Sequence, residues 1–195
     1  MRLRDKQKAE VKSALMRAGE ELFMTKGFSE TTIEEITGAA GVARGTFYNY
    51  FQIKEDLVLE LFYASEELSP KQIDEFFAST SGTENQIQAI ITNAVEWTLR
   101  RPELFLICLV EKMKRGHVPN HTNGTLFRRM IKEAFERGQA VGVVTKERPP
   151  QDLAHDIDGL YTVHMVRWYH YGQKGDLLAS IMPAINTYLS GAMTK

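Results

Sequence analysis

The tightest constraint on this chain lies between Thr31 and Phe51, where signals that start and stop helices alternate at short spacing. Thr32 followed by Glu35 is a capping box, so a helix opens there and runs through Ala40. Gly41 stops it. Residues 43–51 then read as another short helix, carrying Phe47, Tyr48, Tyr50 and Phe51 with Arg44, Gly45, Thr46 and Asn49 among them. At about 100° per residue, Phe47 and Phe51 fall together as a buried face. Gly45 and Asn49 point the opposite way, Thr46 and Tyr48 flank the exposed side, and Tyr50 lies at its border. The two phenylalanines anchor the segment, and the outward set is left for a partner.

The remaining periodicity is also helical. Val11, Leu15, Ala18, Leu22 and Phe23 recur at steps of three and four, which predicts an amphipathic helix ending near Gly27. Further helices are expected from Lys54 to about Leu68, ended by Ser69-Pro70, and then over about 84–100, 103–115, 125–140, 151–171 and 177–192. Pro183 should kink or divide the last of these, and Asp176 caps it. No stretch shows strand alternation or a repeat. The fold class is therefore all-α: an N-terminal three-helix helix-turn-helix domain over residues 1–53, then a C-terminal helical bundle over 54–195, with the helix from Lys54 connecting the two.

Charge and composition exclude several classes. A net charge of −1 over the whole chain hides a local concentration, since residues 1–17 hold six basic side chains against two acidic ones. Such an arm suits a polyanion, and a solvated helix face fits it as well. The single cysteine, Cys108, permits no intrachain disulfide and fits a reducing compartment. The N-terminus has no apolar signal region, and no apolar run approaches the roughly 18–20 residues that cross a bilayer, so a cytoplasmic protein without a membrane partner is expected. His117 and His121 have H-x3-H spacing but sit in a Gly/Pro/Asn loop without a helix to fix them, so no metal site is expected. With no nucleophile–base pair and no phosphate-binding loop, the sequence offers no catalytic residue, no cofactor and no enzyme class.

The outward face of residues 44–50 suits DNA. Arg44 can fork onto guanine or phosphate, Asn49 can pair with an adenine edge, and Thr46 can meet a base or a thymine methyl. Gly45 removes a side chain where a helix must come close to a duplex. Hydroxyls of Tyr48 and Tyr50, and the ammonium of Lys54, are candidates for phosphates. A packed three-helix unit with no nucleic-acid partner would satisfy the same spacing. A helical small-molecule-binding or interaction protein with a merely structural helix-turn-helix is therefore the competing reading.

Residues 8–60 resemble the N-terminal domain of TetR-family transcriptional regulators. The resemblance rests on Ala18 with Leu22-Phe23, Gly27-Phe28, Thr31-Thr32-Ile33 with Ile36, Ala40-Gly41-Val42, Gly45-Thr46-Phe47-Tyr48, Tyr50-Phe51, Lys54-Glu55 and Leu57. The long C-terminal helices are similar to the family's ligand-binding and dimerisation domain. The resemblance implies a homodimeric repressor that binds a palindromic double-stranded DNA operator and is released by a small hydrophobic or aromatic effector. It implies Thr32, Arg44, Gly45, Thr46, Tyr48, Asn49, Tyr50 and Lys54 as the residues near DNA. Three places depart from the family pattern. Ala43 stands where a capping serine is common, Thr37-Gly38 where a helix former is usual, and Gln52-Ile53 where a small polar pair is usual. For the effector, the large apolar residues Trp97, Phe105, Met113, Phe127, Met130, Tyr161, His164, Met165 and Trp168 are candidate pocket lining, although such residues at helical spacing also make ordinary core. The helix over 151–171 divides between pocket and dimer interface, with Gly159 permitting close approach.

Overall fold

The computed structural model describes residues 3–65, 68–115 and 125–194. Ten helices follow one another among these residues, with no strand beyond an isolated bridge between Val144 and Met193. They are α1 (Leu3–Lys26), α2 (Ile33–Ala39), α3 (Arg44–Phe47), α4 (Lys54–Ser65), α5 (Pro70–Ser79), α6 (Thr83–Arg100), α7 (Pro102–Arg115), α8 (Leu126–Ala140), α9 (Pro150–His170) and α10 (Leu177–Ala192). The all-α expectation stands.

Three local features depart from the expected pattern. The helix expected over 43–51 is only Arg44–Phe47, continued by a turn over 48–50. Its direction survives because the amides of Tyr50 and Phe51 both donate to the Phe47 carbonyl, at 2.9 and 3.0 Å. Ser69-Pro70 ends no helix; it begins one. The Ser69 hydroxyl accepts the Gln72 amide, the Gln72 side chain returns to the Ser69 amide, and Pro70 takes the first helical position, where a missing N–H costs nothing. Pro183 does not divide α10, which runs unbroken from Leu177 to Ala192.

Contacts group the described residues into two compact units, the first holding residues 3–65 and 103–115 and the second 68–102 and 125–194. In the first, Leu15, Ile36, Phe47 and Leu57 are fully buried and bring α1, α2, α3 and α4 onto one core. Helices as short as α2 and α3 are marginal in water, so this packing is what holds them. Gly41, at φ +70°, turns the chain between them, and the Val42 amide closes onto the Thr37 carbonyl at 3.0 Å. The left-handed conformation at this position is why glycine suits it. Nearly all of α7 belongs to this first unit: Cys108 Sγ meets the Val58 carbonyl at 3.8 Å, and Lys112 lies over the rings of Phe62 and Tyr63.

In the second unit, α8 packs against α6 and α9, and α10 against α9 and α6. Ile87, Ile91, Ile131, Phe135, Ile157 and Ile185 are fully buried there. A Cβ on Gly138 would lie 2.5 Å from both Thr83 Oγ1 and Val144 Cγ2, so only glycine lets α8 approach these buried side chains.

Candidate nucleic-acid interface

The aromatic cluster divides as its wheel predicts. Phe47 and Phe51 are buried, 0% and 3% exposed, with rings 5.3 Å apart. Arg44, Gly45, Tyr48 and Asn49 are exposed, while Thr46 and Tyr50 are half-buried at the border. A Cβ on Gly45 would meet nothing within 4 Å, and its φ is not positive. Nothing inside the fold asks for glycine there, although glycine in a helix costs about 1 kcal/mol relative to alanine.

Arg44 is the cation of this face. Its Nη1 lies 2.8 Å from Glu34 Oε1, and hydrogen bonding with Tyr48, followed by the Glu34 charge, holds the guanidinium above its ordinary pKa. Ala43, at the cap of α3, has the extended backbone of a capping residue (φ −69°, ψ 147°) but makes no side-chain cap bond. Thr37, the departure in α2, is buried and donates its hydroxyl to the carbonyls of Ile33 and Glu34.

Thr32 is placed as the N-cap of α2. Its hydroxyl accepts the Glu35 amide at 3.2 Å, and Glu35 Oε2 in turn accepts the Thr32 amide at 2.9 Å. Lys26 joins the same carboxylate, and its bond is the main reason the Glu35 pKa falls to about 2, with the two Thr32 bonds adding to it.

Lys54 is engaged within the fold. Its ammonium turns inward and donates to the main-chain carbonyls of Phe28 and Thr31, the latter at 2.6 Å, and stands 4.1 Å over the Phe28 ring. Burial lowers its pKa against the pull of nearby glutamates. These bonds make Lys54 a strap across the turn between α1 and α2.

The proposed effector residues do not form one set. Met130 and Met165 are core, 6% and 0% exposed. Tyr161 is buried; its hydroxyl donates to the Ala94 carbonyl at 3.1 Å and shares a hydrogen bond with Thr98, and its ring lies 4.9 Å from Phe127. Trp97 is half-buried beneath Arg101, whose guanidinium carbon is 5.9 Å from the ring centroid. His164 and Trp168 look elsewhere, towards Ser180 and the Gly175 carbonyl. Phe105 and Met113 stand on α7, in the first unit, and Met113 is 76% exposed. The bond between Thr98 and Tyr161 has no signal in the sequence, because the two lie 63 positions apart. Among the described residues no group of three or more acidic, histidine or cysteine side chains could hold a metal ion; His117 and His121 lie outside them. No helix among the described residues is long and apolar enough to cross a membrane.

A capped short helix, a glycine turn and a second short helix with a polar outer face, joined to a larger bundle, define a helix-turn-helix DNA-binding regulator. Residues 15–61 match the family described as bacterial regulatory proteins, tetR family. The chain belongs to this TetR family of transcriptional regulators, which are DNA-binding proteins and not enzymes. It is 29% identical over 149 residues to the transcriptional regulator AcuR of Cereibacter sphaeroides, covering 72% of this chain and 68% of that protein. Its fold is that of FadR from Thermus thermophilus, a TetR-family repressor solved with lauroyl-CoA, at a TM-score of 0.76 and 24% identity over 94% of this chain and 96% of that one. It is likewise similar to FadR of Bacillus subtilis, solved with stearoyl-CoA, at a TM-score of 0.64 and 18% identity over 92% and 98%.

Proposed function

We propose that this regulator is a homodimeric repressor that reads a palindromic operator with α3 and leaves it when a small hydrophobic effector binds the second unit. The observation that carries the reading is Gly45. A helical glycine with open space around it, beside exposed Arg44, Tyr48 and Asn49, is explained by a partner that must come close from outside. Arg44, Thr46 and Asn49 then read base edges, and Tyr48 and Tyr50 set register on phosphates. Thr32 holds α2 in place as its cap and offers its outer side to the backbone of the duplex.

A second copy fits against α9. Gly159, Val163 and Val166 share one face of that helix; the valines are 63% and 42% exposed, and a Cβ on Gly159 would meet nothing within 4 Å. The acyl-CoA complexes of the two FadR proteins make a long-chain acyl thioester the first effector to try here. Tyr161, Thr98 and Phe127, which pack together in the second unit, are the first positions to vary in locating its site.

The test begins with selection of a duplex from random oligonucleotides, followed by fluorescence anisotropy with and without lauroyl-CoA, stearoyl-CoA or free CoA. Enrichment of a two-fold-related site, bound by a dimer and released by acyl-CoA but not by CoA, is the expected result. Failure to enrich any duplex would favour a structural helix-turn-helix. Enrichment with no release would remove the acyl effector and leave the operator reading intact.

A further inference from the structure

The surface around α3 carries an acidic residue whose place is not explained by helix capping. Glu34 stands in the first turn of α2, beside Glu35, but only Glu35 is used by the capping box and by Lys26. Glu34 reaches forward instead, placing Oε1 2.8 Å from Arg44 Nη1, with the two side chains 55% and 62% exposed. A carboxylate on a face that meets polyanionic DNA lowers affinity unless it does something for a neighbour.

We propose that Glu34 is a specificity-determining residue, which positions the Arg44 guanidinium so that it reads a base edge in preference to a phosphate. The proposal rests on the reading above, in which α3 faces the major groove. A guanidinium is a planar fork of five N–H donors with no acceptor. With Nη1 on Glu34, the group is tethered along one edge and keeps donors along its remaining edge. Guanine presents O6 and N7, two acceptors with no net charge, so that edge can pair with it while the Glu34 bond persists. A phosphate approaching the same guanidinium must instead come alongside a carboxylate of the same sign. Phosphates surround every sequence and guanines only some. Glu34 therefore weakens the sequence-independent mode more than the specific one, which is discrimination built by repulsion.

The experiment compares the selected duplex with a scrambled duplex of the same length and composition, by anisotropy across a salt series. The full-length parent, Glu34→Gln, Arg44→Ala and the double variant are each measured. Glu34→Gln is expected to tighten binding to the scrambled duplex about three- to tenfold and to change the selected duplex by less than about twofold. Its scrambled-duplex salt slope should steepen by about 0.9 for each protomer whose Arg44 gains a phosphate. In the Arg44→Ala background, Glu34→Gln should move both duplexes equally, because no guanidinium remains to be steered. Equal effects of Glu34→Gln on both duplexes in the parent background, or an unequal effect that persists without Arg44, would overturn the proposal. If Arg44→Ala alone leaves the ratio of the two affinities unchanged, Arg44 is no base reader, and the reading beneath the proposal falls with it. Thermal unfolding of each variant checks that the exposed substitutions leave the fold intact.

Discussion

Replacing Lys54 by methionine separates two roles that the same lysine could play. The structure spends its ammonium on the carbonyls of Phe28 and Thr31 and on the face of the Phe28 ring. Methionine keeps the apolar stem and loses the charge. Each hydrogen bond from a charged group is worth about 1.5–3 kcal/mol, and Thr31 and Phe28 are themselves buried, 2% and 8% exposed, so water replaces the lost donor poorly. Because the lysine itself is only partly covered, each bond is discounted to about 1–1.5 kcal/mol, and the total loss should be about 2–3 kcal/mol. With a urea slope of about 2 kcal/mol/M, the midpoint should fall by about 1–1.5 M. The salt dependence of DNA binding by the folded variant should not change. A phosphate contact would give the reverse pattern, with little loss of stability and a slope shallower by about 1.8 for the two lysines of a dimer. A variant as stable as the parent, with that shallower slope, would refute the strap.

Ala43→Ser should supply the missing cap of α3, whose cap backbone is already extended, and stabilise it by about 1 kcal/mol; amide exchange over residues 44–50 should slow about fivefold, and unchanged exchange would show the cap does not form. Asp56 and Glu111, together with Glu35, should carry the acid response of the first unit. Burial opposes ionisation of Asp56, but Arg115 and the amides of Ile53 and Gln52 hold it below 3.8; Lys114 chiefly, with Arg115 and against burial, holds Glu111 below 4.5. Depressed carboxylates stabilise fully above their unfolded values and lose that contribution as pH falls, so stability should be level above about pH 5 and decline below it, and Arg115→Gln should lower the plateau and soften the decline. Parallel pH curves for parent and variant would contradict this. Gly138→Ala should cost about 1–2 kcal/mol in urea unfolding, since crowding of Thr83 and Val144 at 2.5 Å outweighs the gain in helix propensity of about 1 kcal/mol; a more stable variant would mean both side chains move aside freely.

Local grammar was readable wherever a signal and its partner lie within one helical turn. Thr32 with Glu35 marks α2 in the sequence itself, and the alternation of Phe47 and Phe51 with polar neighbours gives the right faces even though α3 is shorter than the periodicity suggests. The same grammar at Ser69 and Gln72 is masked by Ser-Pro, which reads as a stop although proline at the first helical position is a start. Lys54 and Glu34 were opaque for a different reason. Their partners are set by how helices meet: two carbonyls 26 and 23 positions back for the lysine, and an arginine on the next helix for the glutamate. Met113 shows the limit of composition, since an apolar residue at helical spacing says nothing about which side of the helix is covered.

The place of α7 bears on how such regulators can be recombined. The unit that contains α3 is closed by a helix that arrives nearly forty residues after α4 has ended: Glu103 holds the Phe28 amide at 3.2 Å, and Arg115 pairs with Asp56, whose carboxylate also caps the Gln52 and Ile53 amides. A chimera that transplants only the first 65 residues onto another regulator would leave the α7-facing side of α4 to whatever helix the host provides. Its success would then depend on residues outside the transplanted segment, and the smallest transferable reading module is discontinuous in sequence.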